Sequence, residues 1–218
     1  MGWIRTFYGS AVGKKIVMAL TGLVAVGFVL GHMLGNLLVF RGPEAMNAYA
    51  ELLKSNVALL WTVRAVLLGA IALHIHAAVS LTRMATAARP AGYAMHATQA
   101  ATFSSRTMRI GGVILVLFIV FHLLHLTVGS LHPAFSPTDV YNNVMIGLSV
   151  PAVAGFYLLA MASLGLHLHH GVWSLFQTLG WNHPHINPLR RRVATVLAVV
   201  VALGFAAIPV AVGFGLIG

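Results

Sequence analysis

The chain has 218 residues, of which 59% are hydrophobic and only 7% are charged, and its mean hydropathy is +0.91. This composition leaves too little polar surface to cover a water-soluble globule of that size, so it excludes that class and indicates an integral membrane protein. The 13 Lys and Arg against three Asp and Glu do not indicate a nucleic-acid partner, because the basic residues lie at the ends of apolar stretches and form no long run.

Five apolar stretches are long enough to cross a bilayer, whose hydrocarbon core of about 30 Å needs roughly 20 helical residues. Each is predicted to be a helix, because a lone segment in lipid must satisfy its own backbone hydrogen bonds. The predicted helices cover residues 16–40, 58–81, 110–128, 145–176 and 193–217, and glycines and prolines separate them. We therefore expect an all-α, five-helix transmembrane bundle that forms one domain over residues 1–218, without a cleavable signal peptide.

The basic residues predict how the bundle is oriented. Arg41 and Lys54 fall on one side of the membrane, and Arg64 falls just inside the second helix. The other side carries the remaining ten: Arg5, Lys14, Lys15, Arg83, Arg89, Arg106, Arg109, Arg190, Arg191 and Arg192. By the positive-inside rule, the N-terminus is cytoplasmic and the C-terminus is outside.

Four of the twelve histidines each lie in a different apolar stretch: His32, His74, His122 and His167. A charged side chain near the centre of a membrane helix costs roughly 2.5 kcal/mol or more, so an ionisable group there indicates function. Imidazole can remain neutral in lipid and bind iron. The chain has no cysteine, which excludes disulfides, thiolate-bound iron–sulfur clusters and c-type haem attachment within it.

Depth along the helices sorts these histidines into two pairs. His32 and His122 each precede the outer end of their helix by about eight residues, or roughly 12 Å at the helical rise. His74 and His167 precede the inner ends by about seven to eleven residues, or roughly 10 to 16 Å. Because the axial ligands of a haem approach its iron from opposite faces, two such pairs predict two bis-histidine haems at different heights.

The residues around the four histidines have more than one interpretation. Gly27, Gly31 and Gly35 recur every four residues beside His32, as expected either for a groove that admits a flat macrocycle or for a close helix contact. Arg64 is predicted at the level of the outer pair, where it could contact a haem propionate or a quinone carbonyl, or extend to the interface.

The other histidines are expected to contact neighbouring helices, support the ligands or lie in loops. His125 remains an alternative to His122, and His169 and His170 remain alternatives to His167. His76 points to nearly the opposite helix face from His74. The loop histidines are His96, His132, His183 and His185, of which His183 is expected on the side where a partner would dock.

Several motifs occur in a fixed order over nearly the whole chain. They are Val12-Gly13-Lys14-Lys15, Gly31-His32-Met33-Leu34-Gly35-Asn36, Gly42-Pro43-Glu44-Ala45-Met46-Asn47-Ala48-Tyr49, Leu73-His74-Ile75, Ala88-Arg89-Pro90, Phe121-His122-Leu123-Leu124-His125 and His167-Leu168-His169-His170-Gly171-Val172-Trp173-Ser174-Leu175-Phe176. In order and spacing they make the chain resemble the five-helix, two-haem cytochrome b subunit of succinate:quinone oxidoreductases, which include succinate dehydrogenases and fumarate reductases.

The resemblance implies the cofactors and partners. It implies that His74 and His167 ligate the haem b nearer the iron–sulfur subunit, and that His32 and His122 ligate the distal haem b. A flavoprotein subunit would oxidise succinate, and an iron–sulfur subunit at the cytoplasmic face would pass electrons to this anchor. From the haems they would reach a membrane quinone, menaquinone rather than ubiquinone because that is usual with the two-haem type.

Quinone reduction consumes two protons, and the sequence offers few acids to donate them. Glu44 and Glu51, in the predicted outer loop after the first helix, and Asp139 in the next outer loop are candidates, the alternative being ordinary solvated charges. Some fumarate reductases of this type carry a glutamate two positions before the fourth ligand, on a transmembrane proton path. This chain has Gly165 there, so no such path is inferred.

Three other functions fit part of the pattern. A di-haem cytochrome b of a hydrogenase or formate dehydrogenase would show similar histidines and differ in its partners. A histidine-based proton or metal transporter would be expected to show acidic residues inside the membrane and an internal repeat, and the sequence shows neither. A purely structural anchor would leave the two levels of histidines unexplained.

Overall fold

The computed structural model describes residues 2–89 and 102–217. Their regular structure is entirely helical: α1 Gly2–Gly9, α2 Ala11–Asn36, α3 Pro43–Ser55, α4 Val57–Ala87, α5 Phe103–Leu123, α6 Val140–Ser149, α7 Pro151–Thr178 and α8 Asn187–Gly213. A 3-10 turn, Leu37–Arg41, continues α2, and a π-helical turn, Leu124–Val128, continues α5. The predicted loop residue His96 and the Pro90 of one motif lie outside the described residues.

Five helical segments are long and apolar enough to cross a membrane. They are Ala11–Arg41, Val57–Ala87, Phe103–Val128, Pro151–Thr178 and Asn187–Gly213. Most apolar side chains of α4 and α5 face outward, as expected for helices whose surroundings are lipid. The predicted all-α bundle with five membrane-spanning helices is thereby confirmed, whereas its orientation stays a prediction.

Proline sets two helix boundaries that differ from the predicted ones. The fourth spanning helix begins at Pro151 rather than at residue 145, because Val150 has an extended backbone (φ −78°, ψ 114°), which is the conformation favoured before proline. The fifth begins at Asn187, with Pro188 in its first turn, and ends at Gly213. Arg190 therefore lies inside the first turns of α8 and not before the helix.

The segment after the first spanning helix, predicted as a loop, is mostly the helix α3. Gly42 precedes it with a φ of 94°, a backbone conformation that favours glycine, and Pro43 opens the helix. Glu44 and Glu51 therefore lie on a helix. The Asn47 amide of α3 donates a hydrogen bond of 3.1 Å to Asp139, whose carboxylate caps the N-terminus of α6.

The spanning helices pack most extensively in three pairs, α7 with α8, α2 with α4 and α5 with α7. Glycine permits the closest of these contacts. A Cβ atom at Gly165 of α7 would lie 3.0 Å from the Cβ of Ala202 on α8. The space beside Gly165 is therefore filled by the neighbouring helix α8.

Replacing Gly165 tests the contact between α7 and α8. We expect Gly165→Ala to lower the free energy of unfolding by about 1–3 kcal/mol, because the added methyl group overpacks the interface with Ala202. Thermal unfolding in detergent measures the loss, and the double variant with Ala202→Gly should recover it. Gly155→Ala, on the same helix with no described atom within 4 Å of its added Cβ, is the control. Wild-type stability of Gly165→Ala would contradict the contact.

Candidate functional site

The structure contains two pairs of neighbouring histidines, and in each pair the two histidines come from different helices. His32 of α2 and His122 of α5 have ring centroids 5.9 Å apart, and their planes are nearly perpendicular at 80°. His74 of α4 and His167 of α7 have ring centroids 6.2 Å apart, with an interplanar angle of 49°. These are the two pairs that helix depth predicted, and we call them the outer pair and the inner pair.

Each pair offers two nitrogen donors and no more. Among the described residues, no group of three or more His, Cys, Asp or Glu side chains could hold a metal ion. Structural and catalytic zinc sites need three or four protein ligands, so the pairs do not fit zinc. Two imidazoles from different helices do match the axial ligand set of a haem iron, whose other four ligands belong to the porphyrin.

In the inner pair, one ring nitrogen of His74 has a hydrogen-bond partner, whereas Nδ1 of His167 has none among the described residues. The Thr21 hydroxyl donates to the Val17 carbonyl at 2.7 Å and lies 3.1 Å from Nδ1 of His74. Because the hydroxyl proton is used on the carbonyl, its oxygen accepts from Nδ1–H, and Nε2 of His74 is left free to act as a ligand. Nδ1 of His167 is buried without a hydrogen-bond partner among the described residues, which is costly unless something bound satisfies it.

A tyrosine connects the outer pair to a second histidine cluster. The Tyr157 hydroxyl of α7 lies 3.2 Å from Nδ1 of His122 and 3.0 Å from Nδ1 of His125. His125 is fully buried, and its ring centroid lies 5.1 Å from that of His132. His132 in turn donates from Nε2 to the Asn143 carbonyl at 2.8 Å. Hydrogen bonds and one ring contact, between His125 and His132, thus connect the loop before α6 to the outer pair.

The tyrosine couples the proton positions on the two rings that it contacts, so that the position on one ring determines the position on the other. A phenol has one proton, so it donates to one Nδ1 and accepts from the other. If Nδ1–H of His122 donates to Tyr157, then Tyr157 donates to His125, and Nε2 of His122 is free for a metal. The reverse arrangement is equally compatible with the two distances, so the neighbours distinguish the rings: His122 faces His32 of another spanning helix, whereas His125 faces His132.

The remaining histidines of the spanning helices contact other groups. His76 is exposed and its Nδ1 lies 2.6 Å from the Tyr8 hydroxyl of α1. His169 lies 3.0 Å from the Ser104 hydroxyl of α5. His183 stacks on His185 in the exposed segment before α8, with ring centroids 5.2 Å apart.

The three glycines near His32, which are Gly27, Gly31 and Gly35, do not share the same surroundings. A Cβ atom at Gly27 or Gly31 would meet no described atom within 4 Å, so these two glycines make no close helix contact there. A Cβ atom at Gly35 would overlap the Tyr49 ring of α3, so that glycine does serve close packing. The open space at the first two positions leaves room for a flat group near the outer pair.

The other candidate polar residues lie away from the imidazole pairs or have other contacts. The Arg64 guanidinium lies over the Trp61 ring of its own helix, 5.0 Å from the centroid. Glu44 and Glu51 are exposed on α3. Hydrogen bonds from Asn142 and Asn47 hold the pKa of Asp139 below its ordinary value, which matches a role in capping α6.

Five apolar helices with imidazoles paired between them define a multi-pass integral membrane protein with buried histidine sites. Residues 82–207 match the family of succinate dehydrogenase/fumarate reductase transmembrane subunits, and the chain belongs to that family. It is also 26% identical, over 187 residues, to the succinate dehydrogenase cytochrome b558 subunit of Bacillus subtilis (strain 168), an alignment that covers 84% of this chain and 86% of that protein. No solved structure matches the chain.

The family membership confirms the resemblance predicted from the motifs. The protein is a membrane subunit of an oxidoreductase complex, and haem, quinone and electron transport belong to its family. Sequence reasoning did not identify Thr21 and Tyr157 as partners of the histidines. The only signal was a hydroxyl-bearing residue within an apolar helix, which does not by itself specify a contact.

Removing the Tyr157 hydroxyl tests the hydrogen bonds behind the outer pair. We expect Tyr157→Phe to lower the free energy of unfolding by about 1–3 kcal/mol, because it leaves the buried Nδ1 of His125 without its partner. Thermal unfolding in detergent measures the change. The control is Tyr141→Phe, since Tyr141 is buried on α6 and its hydroxyl makes none of the hydrogen bonds described above. Equal effects of the two substitutions would contradict a specific role for Tyr157.

Proposed function

We propose that the chain is the di-haem cytochrome b anchor subunit of a succinate dehydrogenase complex. The outer pair, His32 and His122, holds one haem b, and the inner pair, His74 and His167, holds the other. Electrons from the iron–sulfur subunit pass through these haems to a membrane quinone. The observation that carries the proposal is the pairing of imidazoles from different helices at two levels of one bundle.

The spacing of the rings fits a haem iron. Two imidazoles that bind one metal from opposite faces have ring centroids about 6 Å apart, because each metal–nitrogen bond is about 2 Å long. The outer pair at 5.9 Å and the inner pair at 6.2 Å both match that separation. The orphaned Nδ1 of His167 and the open space at Gly27 and Gly31 also fit a bound group.

When bound, haem iron supplies the one-electron redox chemistry that none of the side chains here possesses. The protein's residues hold and tune it. Thr21 and Tyr157 orient His74 and His122 through their Nδ1 atoms, and such hydrogen bonds raise the basicity of the ligand nitrogen. Phe28 stacks on His32 and Phe118 on His122, which keeps water from the outer pair.

The charge distribution supports an orientation for the complex. Arg190 and its two neighbours lie at the end of the bundle at which α8 begins, which we call the basic end. The positive-inside rule puts this end in the cytoplasm, where the iron–sulfur and flavoprotein subunits would dock near the exposed His183. The inner pair would then receive electrons first, and the outer pair would deliver them to the quinone.

The quinone is proposed to be menaquinone, bound at the end of the bundle that carries α3 and α6. Glu44 and Glu51 are exposed at this end and are candidate proton donors to the quinone. Arg64 lies in α4 near its start and is a candidate contact for a quinone carbonyl or a propionate. The described residues contain no group of three or more His, Cys, Asp or Glu side chains that could hold a metal ion, so they give no support to the metal-transporter alternative.

Replacing single ligands tests the proposal. We expect the wild-type protein to bind two haem b groups per chain with low-spin absorption bands. His74→Leu and His122→Leu should each bind one fewer haem, and the bands that remain should differ between the two variants, because each removes a different site. Pyridine-haemochrome analysis and reduced-minus-oxidised spectra of purified membranes give these values.

Two substitutions of histidines outside the pairs serve as controls. His76→Leu and His169→Leu remove imidazoles from α4 and α7 that contact Tyr8 and Ser104, and both should keep two haems. A colourless wild-type protein would refute the electron-transfer function. Haem loss in His169→Leu but not in a His167→Leu variant would refute the ligand assignment.

A further inference from the structure

Arg190 is a buried cation with most of its hydrogen-bond donors unused. Its side chain is only 4% exposed, between α7 and α8. Nη2 donates to the side-chain oxygens of Asn182, at 3.2 Å, and Asn187. Nε and Nη1 are buried and have no hydrogen-bond partner among the described residues. A guanidinium has five N–H donors, so three of them, on two nitrogens, await an acceptor.

No carboxylate side chain of the chain can neutralise this cation. The sequence contains three acidic residues, Glu44, Glu51 and Asp139. All three belong to α3 or to the N-terminal cap of α6, at the opposite end of the bundle from the start of α8. The Trp173 ring, 4.6 Å from the guanidinium, stabilises the positive charge through its face but accepts no hydrogen bond in its plane.

A buried, unpaired guanidinium is strongly unfavourable, so an acceptor beyond the described residues is expected at this place. The position of the site suggests its source. Trp173, which covers Arg190, follows the inner-pair ligand His167 by six residues on α7, which is about 9 Å along the helix axis. A lipid headgroup or a docked subunit would have to reach nitrogens that the bundle covers, whereas a haem at the inner pair is already inside it.

We propose that Arg190 binds a carboxylate, and that this carboxylate is a propionate of the haem held by the inner pair. This inference rests on the proposed function and adds a residue that anchors the haem and sets its charge environment. The guanidinium donates from Nε or Nη1 to the propionate, while the two asparagines hold Nη2. A positive charge beside the propionate favours the reduced iron, which carries one positive charge less than the oxidised iron.

Redox titration of the two haems in the membrane-bound complex tests this proposal. We expect Arg190→Gln to keep both haems but to lower the midpoint potential of one of them. At a fixed ambient potential, the ratio of reduced to oxidised form of that haem should fall about tenfold, which is about 59 mV for a one-electron couple. The other haem should keep its potential. Arg190→Lys, which retains the charge, should recover most of the shift.

Arg191→Gln is the matched control. Arg191 is exposed and lies over the same Trp173 ring at 4.8 Å, so its replacement removes the same charge from the surface rather than from the buried site. Its shift should be much smaller than that of Arg190→Gln. If the Arg190→Gln protein does not accumulate, the Arg190→Lys protein provides the test. Its midpoint potential should then fall by a smaller amount, and for one haem only.

The outcomes that overturn the inference are distinct. Unchanged potentials of both haems in Arg190→Gln would mean that only water satisfies the nitrogens. Unchanged potentials with loss of the other subunits from the complex would assign the carboxylate to a partner protein. Equal shifts in Arg190→Gln and Arg191→Gln would indicate a general charge effect. A wild-type protein without haem would refute the proposed function itself. The haem content of the wild type therefore tests that function separately from the role of Arg190.

Discussion

Lipid supplies neither hydrogen-bond partners nor metal ligands, so every polar atom inside the bundle needs a partner that the assembly provides. Helix formation meets this requirement for the backbone. For the imidazoles, Thr21 and Tyr157 meet it on one ring nitrogen of His74 and His122. The partner ring of each pair lies 5.9 Å away in the outer pair and 6.2 Å away in the inner pair. His167 is the exception, since its buried Nδ1 has no hydrogen-bond partner among the described residues.

The two ends of the bundle differ in charge. The acidic residues lie with α3 and the cap of α6, and the asparagine and carboxylate contacts between these helices close that end. Arg190 and its neighbours lie at the basic end. The two imidazole pairs lie between, the outer one drawn from the first and third spanning helices and the inner one from the second and fourth. The proposed electron transfer would run along the bundle between these two ends.

Irregular backbone decides which histidine faces which neighbour. In a regular helix His122 and His125 share a face, since they are three residues apart. A π-helical turn begins at Leu124, and its wider turn changes the direction of the next side chains. His122, which precedes this turn, faces His32, while His125 within the turn contacts His132. A count along the sequence could not separate the two histidines, because it assumes a uniform helix.

The sequence by itself determined the all-α class, the five spans and the four histidines at two depths, because apolar length and helical rise are local and additive along the chain. Only the tertiary structure decided the rest. The fourth apolar stretch is divided at Pro151, and Gly165 packs against Ala202. Tyr157 lies within hydrogen-bond distance of two imidazoles, and Arg190 is buried far from every acidic residue. Each of these depends on which helices become neighbours, and residues far apart in sequence share no local pattern that reports their contact.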